Sequence, residues 1–122
     1  MFTRSAGTVV RRGRASDARQ LANVYRETWR ATYIGIIPAL PLQGALDRRD
    51  EAWWRNAIRK EPNLLVLDIG GTIAGYATCG MARCASPSTG EIYELYILPE
   101  YQGMGLGEYL FEGCRGTIDR MG

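Results

Sequence analysis

Residues 91–107 read EIYELYILPEYQGMGLG, and this stretch decides the fold because it joins an apolar run to a glycine-rich segment. The apolar run ends at Pro99, and three glycines then stand at every second position, at Gly103, Gly105 and Gly107. Because glycine has no side chain, such a run either loosens the chain or lets a ligand approach the backbone closely. The neighbouring elements decide between these two interpretations.

The composition is that of an ordinary globular protein. The chain has 122 residues, of which 46% are hydrophobic and 23% charged, and this predicts one domain over residues 1–122. A net charge of +2 is too small to predict a nucleic-acid partner. The N-terminus lacks the apolar core of a secretory signal, and no run of about eighteen apolar residues exists. We therefore expect a cytoplasmic protein with no membrane partner.

The cysteine pattern argues against a metal site. Cys79, Cys84 and Cys114 stand at spacings that match no zinc motif, and the chain has no histidine. We expect no metal, and we expect reduced thiols that lie buried or at the surface. The missing histidine also removes the commonest general base from any mechanism.

The rest of the chain predicts the element order β, α, α, β, β, β, α. Residues 8–12 favour a strand, and Asp17 with Gln20 three residues later favours a capped helix start. A second helix is predicted over residues 46–60. The Gly-Gly pair at 70–71 between two β-prone runs then predicts a hairpin with a tight primed turn.

In this order the glycine run lies between a strand over residues 91–98 and a helix over residues 107–122. Free backbone N–H groups and the positive end of the helix dipole meet there, which favours an anion site. A P-loop is excluded because Gly107 precedes Glu108 rather than Lys-Ser/Thr. The spacing G-x-G-x-G also differs from the dinucleotide fingerprint G-x-G-x-x-G.

The stretch resembles the signature of the GNAT superfamily of N-acetyltransferases, an apolar-x-Pro step followed by Q/R-x-x-G-x-G/A. Here these are Ile97-Leu98-Pro99 and the run QGMGLG at residues 102–107. The resemblance covers nearly the whole chain from Val9. It implies an α/β fold of the GNAT type, a mixed, mostly antiparallel sheet with helices on both faces. Family members normally continue past the last helix, so the sequence looks like a C-terminally incomplete GNAT domain.

The resemblance also implies acetyl-CoA as the co-substrate and an acetyl-CoA-dependent N-acetyltransferase as the function. Backbone amides of the loop would bind the pyrophosphate, and the strand end would pair with the pantetheine arm. Tyr96 either lines the pantetheine channel or packs in the core. The loop has no basic residue, so phosphate binding would rest on amides and the helix dipole. The implied cofactor-binding residues are Leu95, Tyr96, Ile97, Gln102, Gly103, Met104, Gly105, Leu106 and Gly107.

Two acids on the predicted strand are candidate catalytic residues. Glu91 lies eleven positions before Gln102, where family members often hold a carboxylate that acts as a base, commonly through water. Glu94 is the other acid. Simple alternation would direct Glu91 and Glu94 to opposite faces, unless a β-bulge changes the parity. Either acid is otherwise an exposed strand carboxylate.

By resemblance, the acceptor side would be covered by Trp29, Arg30 and Tyr33, although core packing is favoured for the two aromatic residues. For the adjacent Trp53 and Trp54 we expect one buried and one partly exposed ring. The expected acceptor is a small-molecule or peptide amine. The alternative function is a non-catalytic acyl-CoA-binding or interaction module. A bare outer edge on the 91–98 strand also predicts a homo-oligomer, such as a homodimer.

Overall fold

The computed structural model describes residues 2–5, 7–81 and 90–121. Its strands, in chain order, are β1 (Phe2–Ser5), β2 (Thr8–Arg12), β3 (Leu64–Ile69), β4 (Thr72–Met81) and β5 (Gly90–Ile97). Its α-helices are α1 (Ala18–Tyr33), α2 (Ala39–Arg48), α3 (Glu51–Lys60) and α4 (Leu106–Arg120). Short 3-10 turns at Ala15–Asp17 and Pro99–Tyr101 precede α1 and follow β5.

The strands form one sheet in the order β1-β2-β3-β4-β5, and each neighbouring pair is antiparallel. Gly70 and Gly71 both have positive φ angles, of 59° and 97°, as the tight turn between β3 and β4 requires. Helices α1, α2 and α3 cover one face, and α4 covers the other. The predicted α/β sheet with helices on both faces is confirmed.

The two faces have different cores. On the face that packs against α1–α3, large aromatic side chains lie among the aliphatic ones, and Trp54 contacts Tyr76 with ring centroids 4.7 Å apart. On the α4 face the core is mostly aliphatic, and it includes Leu67, Leu110 and Cys114, which are fully buried. A residue's face therefore decides whether it meets an aromatic and polar setting or an aliphatic one.

The prediction of one helix over residues 46–60 was wrong, because two helices occupy and extend this region. Helix α2 begins after Pro38, whose fixed φ suits a helix entry. Asp50 lies between the two helices and caps α3, since its carboxylate accepts a hydrogen bond from the Trp53 N–H at 2.9 Å. The charged run around Asp50 thus marks a junction between two helices.

Helix α1 begins where the sequence predicted, but Asp17 and Gln20 do not make the capping contacts expected there. Asp17 is the N-cap residue, but its side chain makes no capping hydrogen bond to the helix. Its carboxylate instead accepts two hydrogen bonds from Arg11, at 2.9 Å each, and one from the Arg14 N–H at 2.7 Å. Gln20 reaches away from the cap and donates to the Gly71 carbonyl at 3.1 Å.

Within the described residues, no helix is long and apolar enough to cross a membrane, and the cytoplasmic location stays a prediction. No group of three or more His, Cys, Asp or Glu side chains forms a possible metal site in the same part of the chain. Cys79 and Cys114 are buried free thiols. Cys84 lies outside the described residues.

Candidate active site

A bulge in the pairing of β4 with β5 brings the two candidate acids to one face of the sheet. Glu94 pairs with Thr78 and Glu91 pairs with Gly80, and the register shifts between these pairs. Thr78 and Gly80 are two residues apart on β4 and so point to the same face. Their partners share that face, which packs against α1–α3. The opposite-face pattern of simple alternation does not hold here because β5 carries an extra residue.

Glu94 is held by two side chains from other elements. Arg49, at the α2–α3 junction, donates from Nη1 and Nη2 to the two carboxylate oxygens at 3.0 and 2.9 Å. The hydroxyl of Tyr76 on β4 donates to Oε1 at 2.7 Å. Fork-to-fork pairing of this kind fixes the orientation of a carboxylate as well as its charge.

The Arg49 guanidinium also contacts aromatic rings. It lies 4.6 Å from the ring centroid of Tyr25 and 4.4 Å from that of Trp53. Burial lowers the pKa of Arg49, but the hydrogen bonds and the charge of Glu94 outweigh burial and raise it above the ordinary value. Burial, with a further contribution from Glu94, raises the pKa of Tyr76 well above its ordinary value. Both groups therefore remain hydrogen-bond donors at neutral pH.

A cavity of about 320 Å³ opens beside this cluster. It lies between α3 and the strands β4 and β5, and its lining residues are Arg49, Trp53, Trp54, Asn56, Ala57, Lys60, Glu61, Leu64, Thr78, Tyr93 and Glu94. As predicted for these adjacent tryptophans, one is buried and one is partly exposed, since Trp54 is 1% exposed and Trp53 is 39% exposed. The cavity is therefore lined by both aromatic rings and charged side chains.

The three residues expected at the acceptor side do not line this cavity. Trp29 stacks between Tyr25 and Tyr33, with ring centroids 5.0 and 4.9 Å away, and all three pack on the α1–α3 core. In the structure, therefore, Trp29 and Tyr33 pack against the core. Arg30 lines a separate cavity of about 540 Å³ where α1 connects to α2.

Tyr96 lies on the α1–α3 face, where its ring centroid is 5.6 Å from that of Tyr76. Burial is the main reason that the pKa of Tyr96 is raised. Leu95, its neighbour, packs with the α4 core instead. Among the described residues β5 forms the edge of the sheet, so the outward backbone groups of residues 95–97 face no further strand.

The glycine loop has an open, positively polarised backbone. Gly103 and Gly105 have φ angles of 79° and 77°, and a Cβ atom built on Gly103 would meet no other atom within 4 Å. Helix α4 begins after Gly105 without a side-chain cap, so its first N–H groups are available to a ligand. Gln102 donates to the Ile97 carbonyl at 2.8 Å and ties the loop to β5. Met104 is exposed. These features fit a phosphate.

Sequence reasoning missed Arg49, Tyr76 and Tyr93. Arg49 stands next to Arg48 in a charged run, and no local pattern separates the two. Its partner Glu94 lies 45 positions away along the chain. Both tyrosines look like ordinary strand residues in the sequence. Tyr76 is identified only by its hydrogen bond to Glu94, and Tyr93 only by its place in the lining of the cavity.

The chain matches known acetyltransferases in sequence and fold. The model of the acetyltransferase (GNAT) family matches residues 19–115. YuaI, an uncharacterized N-acetyltransferase of Bacillus subtilis, is 31% identical over 102 residues, which are 83% of this chain and 58% of that relative. The chain thus spans little more than half the length of this curated relative.

Two solved structures show the same fold. The PaiA N-acetyltransferase of Thermoplasma acidophilum, in complex with coenzyme A, has a TM-score of 0.78 at 21% identity, covering 93% of this chain and 73% of that one. A GNAT family acetyltransferase of Brucella melitensis, in complex with acetyl-CoA, has a TM-score of 0.62 at 18% identity, covering 94% and 70%. On the family match over residues 19–115, the chain belongs to the GNAT family of acetyltransferases.

Proposed function

We propose that the protein transfers an acetyl group from acetyl-CoA to a primary amine by direct attack in a ternary complex. The amine nitrogen attacks the thioester carbonyl carbon, the carbon–sulfur bond breaks, and an amide forms. The nitrogen loses one proton and the leaving sulfur gains one. The observation that carries the proposal is the family match over residues 19–115, which includes both β5 and the glycine loop.

The loop and the strand edge are the proposed binding site for acetyl-CoA. The pyrophosphate would lie against the amides of residues 102–107, where two positive-φ glycines keep the backbone open. The pantetheine arm would pair with the outer edge of β5 at residues 95–97, as an added strand does. When bound, the co-substrate supplies the activated acetyl group.

The acceptor would enter from the α1–α3 face, into the cavity beside Glu94. Glu91 and Glu94 are both directed to this face by the bulge in β5. We assign the general base to Glu91, acting directly or through water, because it stands eleven positions before Gln102, where members of the family often hold a carboxylate that acts as a base. The proposed acceptor is a primary amine of a small molecule or of a peptide.

The competing function is a non-catalytic acyl-CoA-binding module, and one experiment separates the two. The protein is incubated with acetyl-CoA and a panel of primary amines, and acetylated product is detected by mass spectrometry. Product mass is preferable to thiol detection because the chain has three cysteines of its own. Turnover supports the enzyme, whereas a raised melting temperature without product supports the binding module. If acetyl-CoA gives neither acetylated product nor a raised melting temperature, both functions are overturned.

We also propose that the 122-residue chain self-associates. Among the described residues, the outer edge of β5 faces no further strand, and a cavity beside it is lined by Ile92, Phe111 and Ile118. Unpaired backbone groups on an apolar edge favour pairing with another chain, and pairing at residues 90–94 would leave residues 95–97 to the pantetheine arm. Light scattering at micromolar concentration should therefore give a dimer or a larger species. A monomer under these conditions would show that the edge is protected in another way.

A further inference from the structure

We propose that Arg49 is a positioning residue for acetyl transfer, which acts by holding Glu94 in place as an acceptor for the amine's N–H. The inference rests on the proposed function. It assigns different tasks to the two acids on β5, with Glu91 taking the proton and Glu94 orienting the nitrogen. It also gives a role to an arginine that no motif of the sequence identifies.

The first support is the geometry of the ion pair. Nη1 and Nη2 of Arg49 reach the two oxygens of Glu94 at 3.0 and 2.9 Å, and the Tyr76 hydroxyl reaches the same carboxylate at 2.7 Å. Three donors from two elements leave the carboxylate little freedom to rotate. Because both of its oxygens already accept hydrogen bonds, Glu94 is placed to orient the nitrogen rather than to take its proton.

The second support is the immobilisation of Arg49 itself. Its guanidinium lies 4.6 Å from the Tyr25 ring centroid, 4.4 Å from that of Trp53 and 5.7 Å from that of Trp54. A planar guanidinium between ring faces loses fewer conformations per hydrogen bond than a flexible ammonium would. Lysine keeps the charge but supplies neither the fork nor the stacking, so Arg49→Lys separates geometry from charge.

The third support is the location of the cluster. Arg49 and Glu94 line the 320 Å³ cavity together with Thr78, Tyr93 and the half-exposed ring of Trp53. Near Glu94, an amine could donate one N–H to the fixed carboxylate and present its lone pair in a constant direction, which is the kind of alignment on which attack rates depend.

The test compares Arg49→Lys and Arg49→Ala with Arg11→Lys, which disturbs a similar ion pair with Asp17 on another part of the sheet. Activities are normalised to the folded fraction from circular dichroism. Both Arg49 variants should lower kcat by about tenfold or more, because misplaced reacting groups cost at least this much. The melting shift given by acetyl-CoA should be retained. Arg11→Lys should keep kcat within about twofold of the wild type.

A chemical rescue distinguishes positioning from general support of the fold. Millimolar guanidinium should restore part of the kcat of Arg49→Ala, and it should restore nothing in Glu94→Gln, where the charged acceptor is missing. Wild-type kcat in Arg49→Lys, an equal loss in Arg11→Lys, or equal rescue of Glu94→Gln would overturn the proposal. An inactive wild type that still binds acetyl-CoA would instead overturn the proposed acetyl transfer, and the role of Arg49 with it.

Discussion

Two arginine–carboxylate clusters join distant parts of this chain, and their surroundings differ. Arg11 lies between Asp17 and Asp68, and the side chains of Arg11 and Asp17 are only 12% and 6% exposed. Arg49 and Glu94 are 24% and 27% exposed, the Arg49 guanidinium lies over aromatic rings, and both residues line one cavity. Arg11 also lines a cavity, of about 190 Å³, but neither of its carboxylate partners does. The same ion-pair chemistry therefore joins elements of the fold around Arg11, whereas around Arg49 it also holds a carboxylate that lines a cavity.

The difference shows how to separate a structural ion pair from a candidate functional one. Arg11 joins β2 to β3 and to the turn before α1, and its carboxylate partners Asp17 and Asp68 are less exposed than Glu94, at 6% and 18%. Glu94 has comparable bonds but shares its face of the sheet with Glu91. What lies next to the pair, rather than the pair itself, points to chemistry.

The largest expected effect is that of substituting Glu91, the proposed general base. Glu91→Gln should lower kcat by about a hundredfold or more, because it removes the proposed base while keeping the shape of the side chain. Binding of acetyl-CoA, measured by calorimetry, should be unchanged. A similar loss of binding, or full activity in Glu91→Gln with loss only in Glu94→Gln, would move the base elsewhere.

The next effect concerns the glycine loop. Gly103→Val places a side chain where the phosphate would approach, and it should abolish the stabilisation by acetyl-CoA, which is about 2.7 kcal/mol at a hundred times the dissociation constant. Gly70→Val is the matched control, since Gly70 also has a positive φ and open space around it. It carries comparable backbone strain and should keep the shift. A full shift in Gly103→Val would contradict the loop as the site.

The structural cluster gives a prediction about acid stability. Burial alone would raise the pKa of Asp17, but hydrogen bonds from Arg11 and Arg14 outweigh burial and hold that pKa below its ordinary value. A lowered folded-state pKa means that the stabilisation is present above the unfolded value of about 3.9 and is lost as the pH falls through the folded value.

Asp17→Asn should therefore reduce the free energy of unfolding at pH 7 by about 2 kcal/mol, with kcat unchanged. In urea titrations, the difference from the wild type should shrink at pH values below the folded-state pKa. Asp47→Asn is the control, because Asp47 is 63% exposed and its pair with Arg26 spans 3.9 Å. Exposed pairs of this kind contribute about 0–1 kcal/mol. A pH-independent difference for Asp17→Asn would contradict the linkage.

The smallest expected effect is at the start of α4. Glu108 is an exposed acid in the first turn of this helix, close to where the pyrophosphate would lie. Its charge interacts favourably with the helix dipole, by about 0.3–1 kcal/mol. It would also repel a phosphate bound at the same helix end, by about 1 kcal/mol at a separation of about 4 Å in water. Glu108→Gln should thus bind acetyl-CoA about two- to fivefold more tightly, as calorimetry would show. Weaker binding would mean that Glu108 does not face the phosphates.

The features that the sequence predicted well are local ones. The turn at residues 70–71 and the loop at residues 102–107 each depend on glycines within a few positions of one another, so their spacing carries the information. The unequal burial of Trp53 and Trp54 follows from helical geometry alone. Residue patterns also predicted the order of the elements from β2 onwards, except that α2 was not predicted as a helix of its own.

The features that the sequence did not predict depend on register and distance. The shared face of Glu91 and Glu94 results from one extra residue in β5, and nothing in the residue types there marks the bulge. The pairing of Arg49 with Glu94 joins positions 45 residues apart. Asp17 occupies the expected N-cap position, yet Arg11 competes successfully for its carboxylate because a charged guanidinium pairs with both carboxylate oxygens at once.

Titration of the isotope-labelled protein with acetyl-CoA, followed by amide NMR, tests most directly whether the β5 edge and the α4 loop bind the co-substrate. We expect the largest shifts at residues 95–97 and 102–107, with little change around Arg11. The chain offers a rival basic site, a cavity of about 190 Å³ lined by Arg12 and Arg120 among others. Largest shifts at that cavity, or no shifts at all, would contradict the proposed acetyl-CoA site.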